Sequence, residues 1–157
     1  MLTVGISDLV VSDKSDDILI TYSLGSCIGV TMYDPVARVG ALIHCMLPLS
    51  KMYPEKSQNK PYMFVDTGII KMLQAVYDKG AEPDRLIVKV AGGASLLDPK
   101  RMFRIGERNY AVTRKILWKN NLMIAADDVG GSKSRTLMLY MDTGRTTIKN
   151  KGEELEL

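Results

Sequence analysis

The chain has a single histidine, two cysteines and one tryptophan in 157 residues. With no CxxC pair and no Cys/His cluster, it offers no ordinary structural zinc site. No apolar run approaches the ~20 residues that a membrane-spanning helix needs, so no direct membrane insertion is expected. Residues Met1–Gly5 lack a basic region followed by an apolar core, so no secretory signal is expected. There is no Walker pattern and no GxGxxG, which leaves nucleotide binding without support. The net charge is only +3. Its basic residues are dispersed, with one cluster at Arg114, Lys115 and Lys119, and no aromatics interleave with them, so nucleic acid is not an expected partner. A cytoplasmic location with reduced thiols follows as the expectation, and it disfavours a Cys27–Cys45 disulfide.

What remains is an ordinary globular composition, 46% hydrophobic and 25% charged. The length suits one domain over residues 1–157 with a real core. The acidic end from about residue 151 reads as a solvated tail.

Hydrophobic patterning predicts strands over 3–11, 18–22, 27–33, 39–47, 85–91, 123–128, 134–142 and 145–149. Helices are predicted over 64–79, ended by Gly80, and over 109–120. The apolar positions Val65, Ile69, Met72, Leu73 and Val76 recur at helical spacing and give the first helix one buried face. Residues 51–60 read as a polar loop. Strands outnumber helices and several are neighbours in sequence. The expected architecture is α+β, or layered α/β: a mixed sheet with two main helices packed on it.

Two residue types carry chemistry. Cys27 sits in a small-residue turn between two apolar runs, and His44 lies inside an apolar run. A polar ring there needs a partner or incurs a desolvation cost. Period two puts Leu42 and His44 on one face of their strand and Ile43 and Cys45 on the other. If strands 27–33 and 39–47 pair as a hairpin, Cys27 and His44 lie near its same end. A free thiol, with a pKa near ~8.5, is a weak nucleophile at neutral pH. A neighbouring imidazole can take its proton and hold an ion pair, and the thiolate then attacks a carbonyl carbon. Gly25-Ser26-Cys27 supplies a tight backbone whose amides are candidates to stabilise the oxyanion. A third group usually orients the base; candidates are Thr21, Thr67, Asn109, Asp66 and Asp127. Plain packing stands as the alternative for Cys27, for His44 and, above all, for Cys45.

Several segments together resemble the CheD family of chemoreceptor glutamine deamidases. They are Leu24-Gly25-Ser26-Cys27 with Gly29-Val30, His44 with Met46-Leu47-Pro48, and Tyr62 with Asp66. Further along come Lys89-Val90-Ala91-Gly92-Gly93-Ala94, Ile105-Gly106-Glu107-Arg108-Asn109, Gly130-Gly131 and Thr143-Gly144. The resemblance implies a fold like the catalytic domains of deamidating bacterial toxins. It implies hydrolysis of selected receptor glutamines to glutamate with release of ammonia, and no cofactor. Cys27 matches the family nucleophile, His44 its base and Thr21 the residue that orients the histidine. The implied partners are the chemoreceptor as substrate and a CheC-type phosphatase as regulator. The chain departs from the family pattern at Cys45, where phenylalanine is frequent, and at Ala91, where an aromatic is frequent. The competing expectation is a non-catalytic adaptor that regulates the phosphatase or receptor, with Met102 and Phe103 as a contact patch.

Overall fold

A computed structural model of the chain describes residues 1–95 and 104–157. Met102 and Phe103, the expected contact patch, lie outside the described residues. The strands are β1 (Leu2–Thr3), β2 (Asp8–Ser12), β3 (Ile18–Leu24), β4 (Ile28–Asp34), β5 (Val39–Cys45), β6 (Ile87–Gly92), β7 (Ile124–Val129), β8 (Arg135–Tyr140), β9 (Thr146–Asn150) and β10 (Glu153–Glu156). The helices are α1 (Pro54–Asn59), α2 (Val65–Asp78) and α3 (Ile105–Lys119).

The α+β layering expected from sequence is present, but it holds two sheets rather than one. One five-stranded sheet runs β1-β3-β8-β9-β10 and the other runs β2-β5-β4-β6-β7. Leu19 and Leu24 of β3, Leu42 of β5, and Leu137 and Leu139 of β8 fill the space between the sheets. The opposite face of the second sheet, with Val30 and Met32, Ala41 and Ile43, and Val88 and Val90, packs on Ile69, Met72 and Val76 of α2 and Leu117 of α3. A strand buried on both faces reads as a continuous apolar run. That is why β4 and β5 are buried along their whole length.

The predicted 3–11 strand divides into β1 and β2, which belong to different sheets. The break falls at Gly5-Ile6-Ser7, where Ser7 takes a left-handed φ of 61°. The next change of sheet decides where chemistry can occur. β3 and β4 are consecutive in sequence, yet they lie in opposite sheets, and the chain crosses between them through Gly25-Ser26-Cys27. A register shift between Thr21 and Leu24 and a left-handed φ of 59° at Ser23 bend β3 just before the crossing. Bulges of this kind re-aim side chains and terminate pairing.

Three further stretches differ from the sequence reading. Residues 51–60 contain the short helix α1 rather than only loop; Pro54 opens it, and none of its residues is buried, so it has no apolar period to read. α3 begins four residues before the predicted start, because its first turn docks through Gly106 rather than through a large apolar side chain. The expected tail residues 153–156 stay exposed but form β10, paired antiparallel with β9. The last residue is tied in as well: the Leu157 amide donates to Thr146 O at 2.8 Å, and Lys89 Nζ donates to Leu157 O at 2.7 Å.

Candidate active site

The predicted hairpin forms. β4 and β5 pair antiparallel with Gly29 opposite His44 and Ile28 opposite Cys45. Directly opposed residues of an antiparallel pair share a face, so Gly29 and His44 do. That face looks into the space between the sheets: a methyl group on Gly29 would meet Leu24 and Leu137 side-chain carbons at 2.8 Å. Cys27, two residues before Gly29, is half-buried and packs on the same inter-sheet cluster. By strand parity the Cys27 position falls on the same side as Gly29, just beyond the end of the β4–β5 ladder where Gly29 opposes His44. Cys45 points to the helical side, where a methyl group on Gly68 of α2 would sit 3.3 Å from its sulfur.

His44 is fully buried and reaches across to the other sheet. Its Nδ1 lies 2.7 Å from Thr21 Oγ1 on β3. The Thr21 hydroxyl donates its only proton to Val4 O, also at 2.7 Å. Thr21 Oγ1 must then accept from His44, which puts the ring proton on Nδ1 and leaves Nε2 with a lone pair. Nε2 is buried and has no hydrogen-bond partner among the described residues. Such an orphan costs about 1–3 kcal/mol, and groups of this kind concentrate where chemistry needs them.

Burial sets the charge state. It pulls His44 down to about 4. It pushes the Cys27 thiol above its ordinary value, against a smaller opposing effect from the residue's own backbone amide. In the free protein burial thus favours the neutral form of both the Cys27 thiol and the His44 imidazole. Burial also pushes the Cys45 thiol far up, so it is inert as a nucleophile.

Of the five candidates for an orienting group, only Thr21 bonds His44. Asp66 accepts from the Ser50 amide at 3.0 Å and the Ser50 hydroxyl at 2.9 Å, bracing the segment that follows β5. Thr67 Oγ1 donates to Pro61 O at 2.5 Å. Asp127 accepts from the Tyr110 hydroxyl. Asn109 touches backbone on both sides of the pair: its Nδ2 donates to Ser26 O at 2.8 Å and to Met46 O at 3.0 Å.

The turn that holds Cys27 is built against glycine. The Gly93 amide donates to Cys27 O and the Ala94 amide to Gly25 O, each at 2.8 Å. Gly92, at a φ of +109°, leaves no room for a side chain, because a methyl group there would collide with Cys27 O. Gly106 of α3 lies as close behind: a methyl group would stand 2.5 Å from Ala94 O and 2.6 Å from Gly93 O. Arg135 closes the far side, donating to Gly130 O at 2.8 Å and to Gly92 O at 3.3 Å while pairing with Asp128 at 2.9 Å. Sequence reasoning missed Arg135. A lone arginine at a strand start gives no signal, since what ties it to the cysteine turn is the carbonyl of Gly92, 43 residues away.

Among the described residues no group of three or more His, Cys, Asp or Glu side chains is placed to hold a metal ion, and no helix is long and apolar enough to cross a membrane.

Known proteins similar to this chain match it over nearly its whole length. A protein from Solibacter usitatus named "probable chemoreceptor glutamine deamidase CheD" is 46% identical over 156 residues, covering 99% of this chain and 92% of its own. One from Syntrophus aciditrophicus, named "probable chemoreceptor glutamine deamidase CheD 1", is 48% identical over 152 residues, covering 97% and 95%. Among solved structures, the Bacillus licheniformis hypothetical protein YfiH aligns with a TM-score of 0.48 at 13% identity, over 80% of this chain and 50% of that one. The family model described as CheD chemotactic sensory transduction matches residues 46–150. On the full-length relatives and the family match together, the chain belongs to the CheD chemotactic sensory transduction family.

Proposed function

We propose that this chain deamidates glutamine side chains of chemoreceptors, with Cys27 as nucleophile, His44 as general base and acid, and Thr21 as the residue that orients His44. One observation carries the reading: the 2.7 Å contact between Thr21 Oγ1 and His44 Nδ1, which leaves Nε2 bare on the face that Cys27 shares. The printed names of the full-length relatives support the substrate class.

The chemistry then runs as acyl transfer. Nε2 takes the Cys27 proton as sulfur attacks the glutamine side-chain carbonyl carbon, so the ionic state is reached only with substrate in place. The amides of Ser26 and Cys27 stabilise the oxyanion. The imidazolium returns the proton to the departing nitrogen, and ammonia leaves behind a thioester. Water, deprotonated by Nε2, attacks the thioester; glutamate departs and the thiol is restored. Thiol, imidazole and backbone amides supply every step, and no cofactor is required. The test is mass spectrometry of a chemoreceptor cytoplasmic fragment after incubation with the protein. The amide-to-acid change adds ~1 Da per site, with one ammonia released for each. A fragment of unchanged mass refutes the substrate assignment.

Thr21 has its own test. Thr21→Val keeps the shape but removes the hydroxyl that selects the Nδ1–H tautomer. Turnover should fall about 10- to 100-fold, less than the ~10⁴ seen when a charged orienting group is lost. Stability should drop by about 1–3 kcal/mol, because Val4 O and the buried His44 Nδ1–H both lose their partner. Unchanged turnover in Thr21→Val would remove Thr21 from the mechanism.

A CheC-type phosphatase is the regulatory partner we assign, supported by the family resemblance. Cys27→Ala should still capture that phosphatase in a pull-down while deamidating nothing. An adaptor would instead keep its whole effect on signalling in the Cys27→Ala strain, and that result would favour the non-catalytic reading.

A further inference from the structure

We propose that Asn109 is a positioning residue for this reaction: its side-chain amide aims the Cys27 N–H at the reacting centre and locks the nucleophile turn to the strand end that carries His44. The inference rests on the assignment of Cys27 and His44 above.

Three observations carry it. First, one nitrogen, Asn109 Nδ2, donates to both Ser26 O and Met46 O, at 2.8 and 3.0 Å. Ser26 directly precedes Cys27, and Met46 lies two residues after His44. A single side chain therefore links the two elements whose relative placement sets the distance between sulfur and imidazole. Second, there are no cis peptide bonds among the described residues. In a trans unit the C=O and N–H point in opposite directions. Holding Ser26 O toward α3 turns the Cys27 N–H away from α3, toward the sulfur side of the turn. The influence of that amide on the Cys27 thiol agrees with this direction. Third, Asn109 is fully buried, yet its Oδ1 has no hydrogen-bond partner among the described residues. Among the described residues the side-chain amide bonds through its two donors.

Gly106 anchors the start of α3 against Gly93 and Ala94. Thr113 Oγ1, one turn along α3, donates to the Asn109 backbone O at 2.7 Å and does not touch the Asn109 side chain. Thr113 is as fully buried as Asn109. Its side chain bonds within the helix rather than to the turn, which makes it the control for mere packing loss.

The experiment compares Asn109→Ala, Asn109→Asp and Thr113→Ala with the wild type. It measures kcat and KM on a receptor fragment, the pH dependence of Cys27 alkylation by iodoacetamide read from peptide mass, and thermal unfolding. In Asn109→Ala we expect kcat to fall about 10- to 100-fold with KM within about twofold, as displacement of a reacting group by about 1 Å would cause. The Cys27 alkylation midpoint should rise by about half a pH unit or more, because the amide that favours the thiolate has turned away. Thr113→Ala should lose stability but leave both readouts in place. Asn109→Asp has the same shape without the donors; it should reproduce the loss and takes over if the alanine variant does not fold. A folded Asn109 variant with kcat within twofold of wild type and an unmoved alkylation midpoint overturns the proposal. If the wild type itself releases no ammonia, the assigned activity is wrong, and the alkylation readout alone then decides the role of Asn109.

Discussion

Replacing Cys27 with alanine should lower ammonia release from receptor fragments by about 10⁴- to 10⁶-fold, and replacing His44 with alanine should do nearly the same. Nucleophile and base act as one unit, so losing either costs about as much as losing both. The double variant should therefore be little worse than either single one. The fold should survive Cys27→Ala, because the residue is half-buried in a turn held by its backbone, with Gly93 and Ala94 bonding the Cys27 and Gly25 carbonyls. Cys45→Ala provides the contrast. Cys45 lies on the helical face of β5, fully buried, so its loss should cost about 1–2 kcal/mol of stability and leave turnover near wild type. The measurement is steady-state ammonia release, with far-UV circular dichroism as the check on folding. Full turnover in Cys27→Ala would contradict the nucleophile assignment, and multiplicative losses in the double variant would contradict the shared step.

The second large effect is on stability and lies away from the site. Asp34→Ala should destabilise the fold by about 3 kcal/mol, because a fully buried carboxylate that three backbone amides and Arg85 bond is removed. The Asp34 side chain is fully buried at the end of β4, while Arg85 is partly exposed. Its carboxylate accepts from Arg85 Nε at 3.0 Å and from the amides of Val36, Ala37 and Glu82 at 2.9, 3.0 and 2.9 Å. Those bonds fasten the β4–β5 turn to the segment between α2 and β6. Burial alone would raise the Asp34 pKa, but Arg85 and the three amides outweigh it and hold the group at about 2. A depressed folded-state pKa means that the stabilisation is fully present above the unfolded value of 3.8 and is lost as pH falls toward 2. Denaturant titrations from pH 6 to pH 2 should show the wild type losing about 2 kcal/mol more than Asp34→Ala across that window. Parallel curves would contradict the assignment, as would a variant within about 1 kcal/mol of wild type at pH 7.

Much of this site is legible in the sequence, because strand parity is a local property. Alternation alone separates His44 from Cys45 and groups it with Leu42, and the register with β4 agrees. The pairing of β4 with β5 is also local, since only Pro35 to Arg38 separate the two strands. The division into two sheets is not local. β3 pairs with β8, more than a hundred residues away in sequence, and nothing in Ile18–Leu24 distinguishes that partner from β4. For this reason Thr21 could be set beside His44 from sequence only through resemblance; its contact is made across the gap between sheets. The bracing of Cys27 is legible only in part. The glycine pair at 92–93 signals close backbone approach, whereas the partners of the Asn109 side chain, and the Gly92 partner of Arg135, are backbone carbonyls, which carry no residue signature at all. The electrostatics were also out of reach. The shift of His44 depends on how completely the facing sheet, β1-β3-β8-β9-β10, covers it, and an apolar run does not reveal that depth.

The central claim is that Thr21 holds His44 as the Nδ1–H tautomer, so that a neutral imidazole presents a bare Nε2 to the Cys27 thiol. Because His44 is the only histidine in the chain, nitrogen-15 NMR of the imidazole reports on this site alone. The account predicts a protonated Nδ1 and an unprotonated Nε2 at pH 7, and a titration midpoint near 4. Alkylation of Cys27 should perturb the Nε2 resonance. A proton found on Nε2, or a midpoint at or above the ordinary 6.5, would contradict it.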